Sequence, residues 1–189
     1  GYQNRALDDE LAVRTVLRAL ELGVTVIDTS GAYLHGRSEE LIGEAVKHWC
    51  AAGGERSSLV ISTKTGTRPD CKGYSAEVTR RSIEQSLRAL GTDYIDVALV
   101  HDAHNIEEPL APGAAFDELW EMQEEGLIRA VGLGLRDHGF HRRVLESGKS
   151  QVHLTYADYN LLNQSAGASV IEPAAVRGAG VFNAMITAY

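Results

Sequence analysis

The sequence predicts an α/β protein built around a parallel β-sheet, and two observations lead to this class. Short apolar runs rich in β-branched residues alternate several times with longer amphipathic stretches along the 189 residues, as strands and helices alternate in α/β proteins. The apolar runs are also nearly continuous, whereas a strand with one face in water alternates apolar and polar residues. Both faces of each strand are therefore predicted to be buried, which is typical of a parallel sheet covered by helices.

Six runs are predicted as strands, and amphipathic stretches before and between them are predicted as helices. The strands span residues 24–27, 59–63, 94–100, 127–133, 152–156 and 181–186. The helices span residues 11–22, 38–46, 75–90, 116–122, 142–146 and 166–177. Gly23 and Gly91 end the first and third helices, because glycine adopts the left-handed conformation that closes a helix. Ser38 and Ser75 are predicted N-caps of the second and third helices. Pro173 interrupts the last helix and makes it the weakest.

Strands that alternate with helices fit either a doubly wound open sheet or a (β/α)8 barrel. The open sheet usually carries a glycine-rich fingerprint after its first strand, and this chain has none. Gly132 and Gly134 form only a lone Gly-x-Gly, which is weak evidence. A barrel typically needs about 250 residues, so the chain is short by about a quarter. The irregular stretch at 102–112 is predicted to be a functional loop.

The composition excludes several classes of protein. Hydrophobic residues make up 44% and charged residues 23% of the chain, which is ordinary for a globular domain. A net charge of -8 without a basic stripe argues against a nucleic-acid or anionic-membrane partner, and no apolar run is long enough to span a bilayer. The two cysteines, Cys50 and Cys71, have no metal-like spacing. We therefore expect no disulfide scaffold, no structural zinc and a reducing, cytoplasmic location.

Polar residues end three of the predicted strands and form the candidate active site. Asp28, Lys64 and His101 follow the first, second and third apolar runs, and Tyr33 comes five residues after Asp28 in a loop of small residues. In a barrel these strand ends open on one face, where active sites are built. His101, Asp102 and a nearby histidine could also be interpreted as metal ligands, but a clear third ligand is missing, so no metal is expected.

A carboxylate, a lysine, a phenol and an imidazole at one point suit proton transfer. A free phenol titrates near pH 10, and a nearby ammonium favours its ionised form. The carboxylate of Asp28 would hold Lys64, and His101 could donate to a substrate oxygen or help to move the proton. Such a site protonates a carbonyl or deprotonates an alcohol. The accompanying hydride needs a cofactor, because no side chain supplies one.

The same segments resemble the aldo-keto reductases along nearly the whole chain. The matching motifs are VIDTS at 26–30, Tyr33, GRSEELIG at 36–43, ISTK at 61–64, GTDYID at 91–96, LVH at 99–101 and EGLIRAVG at 125–132. The resemblance implies a (β/α)8 TIM barrel that uses NADP or NAD without a Rossmann fold. It also implies that Tyr33 is the general acid or base, that Lys64 and Asp28 tune it, and that His101 orients the substrate carbonyl.

Within the family, the aldose dehydrogenase branch is the most similar. The branch oxidises sugars such as fucose or galactose at the anomeric carbon, and its motifs are similar to His101-Asp102, YNLL at 159–162 and GVFN at 180–183. The resemblance implies an oxidoreductase of carbohydrate metabolism acting on a sugar or other small carbonyl compound. The cofactor-binding residues it implies are Asp28, Arg136, Tyr159 and Asn183.

The resemblance also predicts an incomplete barrel. Residues 1–189 are expected to form a single (β/α)8 domain that lacks the family's first and eighth strands. The expected explanations are a longer polypeptide, a fragment, or a partner that covers the gap, because an open barrel leaves strand edges uncovered. The alternative function is therefore a truncated, non-catalytic subunit or binding module. The sequence leaves open the substrate, the choice between NAD and NADP, and whether the protein is a homo-oligomer.

Overall fold

The computed structural model describes residues 8–187, which form a parallel sheet flanked by helices. The strands are β1 (Val26–Asp28), β2 (Val60–Thr65), β3 (Thr67–Arg68), β4 (Cys71–Lys72), β5 (Ile95–His101), β6 (Ile128–Gly134), β7 (Val152–Tyr156) and β8 (Gly180–Ala184). The α-helices are α1 (Asp9–Glu21), α2 (Arg37–Ala51), α3 (Ala76–Leu90), α4 (Glu107–Leu110), α5 (Ala115–Glu124), α6 (His138–Ser147) and α7 (Glu172–Val176). Strands β3 and β4 form a separate antiparallel hairpin.

The order of the strands decides between the two predicted architectures. The six-stranded sheet has the order β1-β2-β5-β6-β7-β8, and every neighbouring pair is parallel. A doubly wound sheet reverses direction at a switch point, but among residues 8–187 each strand joins the same side of the previous one. This order is that of a barrel, so the barrel prediction is confirmed and the open-sheet alternative is wrong.

The described sheet has six strands, two fewer than a closed eight-stranded barrel. The resemblance predicts that the first and eighth strands of the family are lacking. The first of them would precede α1, and this part of the chain, residues 1–7, lies outside the described residues. Strands β1 and β8 are therefore the two edges of the sheet that the structure describes.

Two apolar layers cover the two faces of the sheet. On the outer face, residues such as Ala98 and Val100 of β5 pack against the helices in the main core. On the inner face, Val97, Leu99 and Leu154 form a smaller cluster. This alternation explains the continuous apolar runs of the sequence, because a barrel strand is covered by helices outside and by other strands' side chains inside.

The structure corrects the prediction that Ser38 caps the second helix. Helix α2 begins at Arg37, after Gly36, whose φ of 91° lies in the left-handed region that suits glycine. Ser38 lies inside the helix, and its Oγ is 2.9 Å from the Oγ1 of Thr29 at the end of β1. The side chain therefore links α2 to the sheet and does not cap the helix. The predicted cap at Ser75 is confirmed, since its Oγ accepts a hydrogen bond from the amide of Val78.

Three other elements differ from the prediction. Helix α6 starts earlier than the predicted 142–146, because Asp137 caps it through a hydrogen bond from the amide of Phe140. The last predicted helix, at 166–177, consists of a π-turn over Gly167–Ile171 followed by α7. Pro173 lies at the start of α7, where proline is tolerated. The loop at 102–112 contains the short helix α4. Within residues 8–187, no helix is long and apolar enough to cross a membrane.

Candidate active site

Asp28 and Lys64 form an ion pair at the carboxyl ends of two adjacent strands, with the ammonium buried and the carboxylate partly exposed. The Nζ of Lys64 lies 2.7 Å from the Oδ2 of Asp28 and 2.6 Å from the carbonyl oxygen of Thr29. The Oγ of Ser62 donates to the other carboxylate oxygen at 2.8 Å. The Lys64 side chain is only 1% exposed, so its charge depends on these partners in place of water. The parallel register of β1 and β2 brings the two residues together, since Asp28 pairs with Ser62.

Tyr33 lies over this ion pair on the loop that follows β1. The centre of its ring is 4.8 Å from the Nζ of Lys64, within cation–π distance. The ring meets that of His101 edge to face, with 6.1 Å between the ring centres. Tyr33 is 41% exposed, so its ring bridges the buried ammonium and the solvent. The phenol therefore stands where a substrate from solution can reach it.

His101 ends β5 and is held from two sides. Its Nδ1 lies 2.7 Å from the Oγ1 of Thr67, and its backbone carbonyl accepts a hydrogen bond from the hydroxyl of Tyr74 at 2.8 Å. Burial lowers the pKa of His101, the Asp102 carboxylate opposes this change, and the Lys64 ammonium adds to it. The imidazole is therefore neutral at pH 7. Burial, with Glu108 and Asp102 nearby, raises the pKa of Tyr74 to about 12, so this hydroxyl remains a donor.

The surroundings of His101 also decide which nitrogen carries the proton. Its Nε2 faces the Oδ2 of Asp102 at 3.4 Å, and a carboxylate only accepts hydrogen bonds. A proton on Nδ1 would leave two acceptors facing each other at Nε2. The favoured arrangement is therefore a hydroxyl of Thr67 that donates to Nδ1, with the proton on Nε2. That N–H points at the exposed Asp102 carboxylate, which a substrate oxygen would replace as the acceptor.

We expect Thr67→Val to remove the hydrogen bond to Nδ1 of His101 without changing the shape of the site, because valine matches threonine in size but cannot donate. The ¹⁵N shift of the unprotonated Nδ1 should then change, whereas Nε2 should keep the shift of a protonated nitrogen, because Asp102 still faces it. Long-range ¹H–¹⁵N NMR measures them. Thr65→Val is the matched control, since the buried Thr65 hydroxyl has no hydrogen-bond partner among the described residues. Unchanged His101 shifts in Thr67→Val would contradict the assignment.

Two cavities run along the inner face of the sheet beside these residues. The first, of about 220 Å³, is lined by Tyr33, Lys64, His101, Asp102, Gly134, Leu135, Arg136, Leu154 and Tyr156. The second, of about 280 Å³, is lined by Val26, Asp28, Leu154, Val181, Phe182, Asn183 and Ala184. Leu154 belongs to both walls, and the Asp28–Lys64 ion pair joins them at the strand ends. Together they fall in the range of small-molecule sites, roughly 300–1,000 Å³.

Asn183 supplies an observation that fits a nicotinamide carboxamide. Its Nδ2 donates to the carbonyl oxygen of Tyr159 at 2.6 Å, which fixes the orientation of the amide because a carbonyl can only accept. Its Oδ1 is buried and has no partner among residues 8–187. An unpaired acceptor on a cavity wall is suited to a ligand N–H.

The other predicted cofactor-binding residues lie in different settings. Arg136 is exposed on the wall of the first cavity and has no carboxylate within 4.0 Å in the described part of the chain. Tyr159 contributes its carbonyl to Asn183, and its ring lies close to Gly167 and outside both cavity linings. Tyr156 lines the first cavity instead. The structure thus brings Asp28, Asn183 and Arg136 to the cavity walls, and Tyr159 only through its backbone.

Sequence reasoning missed several residues of the site. Ser62 holds the side chain of Asp28, and Thr67 and Tyr74 hold the side chain and the backbone of His101. Ser62 lies in a strand and could have been placed by its register opposite Asp28. Thr67 and Tyr74 belong to or follow a hairpin of two-residue strands, which leaves no periodic signal in the sequence.

Comparisons with known proteins agree with the architecture. The sequence model of the Aldo/keto reductase family matches residues 1–188. The NADH-specific methylglyoxal reductase of Escherichia coli is 31% identical over 86% of this chain and 52% of its own length. The L-galactose dehydrogenase of Arabidopsis thaliana is 30% identical over 92% of this chain and 54% of its own length. The chain spans about half the length of these curated relatives.

Solved structures match the fold over almost the whole chain. A Pseudomonas aeruginosa protein provisionally classed as an aldo-keto reductase superimposes with a TM-score of 0.80 at 32% identity, covering 100% of this chain and 68% of its own. Another aldo-keto reductase, solved in complex with NADPH, gives 0.76 at 22% identity over 96% of this chain and 55% of its own. By its sequence match and its fold, the chain belongs to the aldo/keto reductase family.

Proposed function

We propose that the protein is an NAD(P)-dependent oxidoreductase that interconverts a sugar or other small hydroxy compound with its carbonyl form. The proposal rests on one observation: a carboxylate, an ammonium, a phenol and an imidazole from three strand ends lie close together. Tyr33, Lys64 and His101 line one cavity, and Asp28 on the wall of the adjoining cavity pairs with Lys64, although up to 73 residues separate the four along the chain. The combination suits proton transfer to a carbonyl oxygen.

The Asp28–Lys64 pair acts on Tyr33 by charge. The carboxylate holds the ammonium in place, and the ammonium lies beside the phenol ring in a buried setting. Because water is excluded around Lys64, its attraction for a negative charge on the Tyr33 oxygen is stronger than it would be in solution. The pair therefore stabilises the phenolate that remains after Tyr33 gives its proton to a substrate oxygen.

Tyr33 and His101 would have different roles towards the substrate. In the reductive direction Tyr33 protonates the carbonyl oxygen, and the neutral His101 donates a hydrogen bond that orients this oxygen. In the oxidative direction the Tyr33 phenolate takes the hydroxyl proton. A nicotinamide cofactor, when bound, supplies or accepts the hydride that no side chain can provide.

Asn183, Asp28, Arg136 and Tyr159 are the residues we propose for the cofactor. Asn183 would accept a hydrogen bond from the carboxamide through its unpaired Oδ1, and Tyr159 holds the amide of Asn183 in that orientation. Asp28 stands on the same cavity wall as Asn183. Arg136, a free cation beside the first cavity in the described part of the chain, would contact a polar or anionic group of the cofactor.

Small polar carbonyl compounds are the proposed substrates. The cavity volumes suit such molecules, and the relatives include a methylglyoxal reductase and an L-galactose dehydrogenase. Among these substrates, a sugar oxidised at its anomeric carbon is our first choice, in line with the aldose dehydrogenase resemblance. We place the activity in cytoplasmic carbohydrate metabolism and treat residues 1–189 as one incomplete barrel domain.

The test is a fluorescence titration of the purified 189-residue chain with NADPH and with NADH. We expect saturable binding, and we expect Asn183→Leu to weaken it about fivefold, the worth of one hydrogen bond. Gln123→Leu is the matched control. The Oε1 of Gln123 is also buried without a partner among residues 8–187, and its Nε2 also donates to a backbone carbonyl, that of Arg129. Arg129 lies on a strand at a position remote from the site. Equal losses in both variants would argue against carboxamide contact.

A non-catalytic binding module is the second candidate, and one observation favours it. Strands β1 and β8 have no strand on their outer edges among the described residues, and an open edge is a surface on which another chain can add. This candidate predicts no saturable binding of either reduced cofactor by the chain. The titration therefore separates the two functions.

A further inference from the structure

Arg68 of the β3–β4 hairpin is a buried arginine that the proposed mechanism leaves without a role. Its guanidinium pairs with the carboxylate of Glu39 on α2, which is 0% exposed, and its NH2 group donates to the Oγ of Ser86 at 2.9 Å. Glu39 also accepts a hydrogen bond from the Oγ1 of Thr63 at 2.6 Å. Two charges withdrawn from water are costly, so such a pair is a weak source of stability in itself.

The guanidinium packs directly against the loop that carries Tyr33. A Cβ atom built on Gly31 would lie 2.4 Å from the Cζ of Arg68, and one built on Gly36 would lie 3.2 Å from its NH1. Real Cβ atoms essentially never come as close as 2.4 Å, and 3.2 Å is tighter than most of their contacts, so the backbone packs tightly on the guanidinium at Gly31 and closely at Gly36. Gly31 and Gly36 stand two residues before and three residues after Tyr33. Arg68 thus supports the loop on both sides of the phenol.

The loop itself adopts a backbone that needs such support. Leu34 and His35, which follow Tyr33, have φ angles of 51° and 55°. The left-handed region is unfavourable for these residues because their Cβ atoms crowd the backbone. Strained backbone of this kind persists only where the surrounding structure determines it. Arg68, whose guanidinium lies against Gly31 and Gly36, is placed to provide such support.

We propose that Arg68 is a positioning residue for Tyr33, acting through Gly31 and Gly36. Glu39, Thr63 and Ser86 fix the plane of the guanidinium, and this plane sets the height and angle of the loop. The loop in turn places the Tyr33 ring over the Nζ of Lys64. The catalytic consequence rests on the proposed function of Tyr33, whereas the positioning itself does not.

Two substitutions test the proposal in different ways. Gly31→Ala adds one methyl group against the guanidinium and leaves both charges in place; the φ of Gly31 is not in the left-handed region. Arg68→Lys keeps a cation for Glu39 but removes the flat surface under Gly31. Either change should move Tyr33 away from its position over Lys64. A role in neutralising Glu39 alone would make Arg68→Lys harmless to Tyr33.

The readout is ¹⁹F NMR of protein labelled with 3-fluorotyrosine, in which Tyr33→Phe identifies the Tyr33 signal. We expect this signal to shift or broaden in both variants, while the signals of the other tyrosines keep their positions. Gly54→Ala is the matched control: a Cβ there would lie 2.3 Å from the Trp49 ring, at the opposite end of β2 from Lys64. It adds the same methyl clash far from the site.

Each outcome bears on the proposal. An unchanged Tyr33 signal in Gly31→Ala overturns it, and so does a Tyr33 change in Gly54→Ala of the same size. If Arg68→Lys does not fold, Gly31→Ala decides alone. Where the parent chain reduces a carbonyl, kcat in Gly31→Ala should fall about 100-fold, as a displacement of about 1 Å can cause. A shifted signal in a chain without turnover would leave the positioning intact and count against the proposed function only.

Discussion

Replacing Tyr33 by phenylalanine is expected to lower kcat for carbonyl reduction by about 10²–10⁴-fold and to leave the fold intact. The substitution removes only the hydroxyl, so the ring keeps its contacts with Lys64 and His101. The substrate oxygen would then have no acid within reach that is poised to protonate it. KM and cofactor affinity should change much less, because the lost interaction belongs to the reacting state.

Steady-state kinetics of parent and variant, with circular dichroism to verify folding, measure this effect. Tyr94→Phe serves as the control. The Tyr94 ring lies between the guanidinium groups of Arg56 and Arg129, at the start of β5 and away from the strand ends that carry the site. Near-normal turnover in Tyr33→Phe would assign the proton transfer to another group and refute the proposed role of Tyr33.

The placement of the candidate site could be predicted because it follows from sheet geometry. The carboxyl ends of parallel strands share one edge, so polar residues that end three apolar runs must lie near one another. Asp28 and Lys64 end strands that are direct neighbours, and their side chains meet at 2.7 Å. His101 ends the next strand of the sheet. The apolar runs were enough to locate these strands to within one or two residues.

The supporting contacts could not be predicted, because they join segments that carry no pattern of their own. The β3–β4 hairpin has strands of two residues, too short for any periodicity. Glu39 lies in the first turn of an amphipathic helix, where a carboxylate normally faces water, yet it is fully buried against Arg68. Burial of a charge depends on a partner that is distant in the sequence, and a single sequence gives no sign of that pairing.

Two histidines outside the candidate site form a buried chain of hydrogen bonds. The Nδ1 atoms of His141 and His153 are 2.8 Å apart, and both side chains are fully buried. The Nε2 of His141 faces the carbonyl oxygen of Leu135 at 3.0 Å, and the Nε2 of His153 faces the Oγ of Ser150 at 2.7 Å. Because the carbonyl only accepts, His141 carries its proton on Nε2. His153 must then donate from Nδ1, and Ser150 donates to His153.

This chain is complete only when both imidazoles are neutral. A second proton on His141 would place two N–H groups opposite each other, and a second proton on His153 would face the donating hydroxyl. Burial, together with the neighbouring His141, lowers the pKa of His153 from 6.5 to about 3. Burial also lowers the pKa of His141, and the nearby His138 lowers it further. The hydrogen bond to the Leu135 carbonyl and the Asp158 and Asp137 carboxylates raise it, but by less.

We therefore expect the free energy of unfolding to fall as the pH drops below about 6.5. Above that pH the histidines are neutral in both states and contribute no pH dependence. Below it the unfolded chain binds protons that the folded protein cannot take up, so acid favours unfolding. His153 alone should contribute about 1.4 kcal/mol per pH unit, or about 2 kcal/mol between pH 6.5 and 5. His141 and His101, whose pKa values are also lowered, act in the same direction.

Urea unfolding at several pH values between 6.5 and 5 measures this slope in a window where the carboxylates do not interfere. Glu107, Asp117 and Glu125 have lowered pKa values, and their ordinary values are 4.5 or below, so the stability they provide is lost only in stronger acid. His153→Asn should be less stable at pH 7 but should flatten the slope by about 1.4 kcal/mol per pH unit, because asparagine does not titrate. His48→Gln, at an exposed position on α2, should keep the slope of the parent. Equal pH slopes of the unfolding free energy in the parent and in His153→Asn would show that His153 gains its proton as easily in the folded protein as in the unfolded chain. That result would contradict the assignment of His141 and His153 as a buried neutral pair.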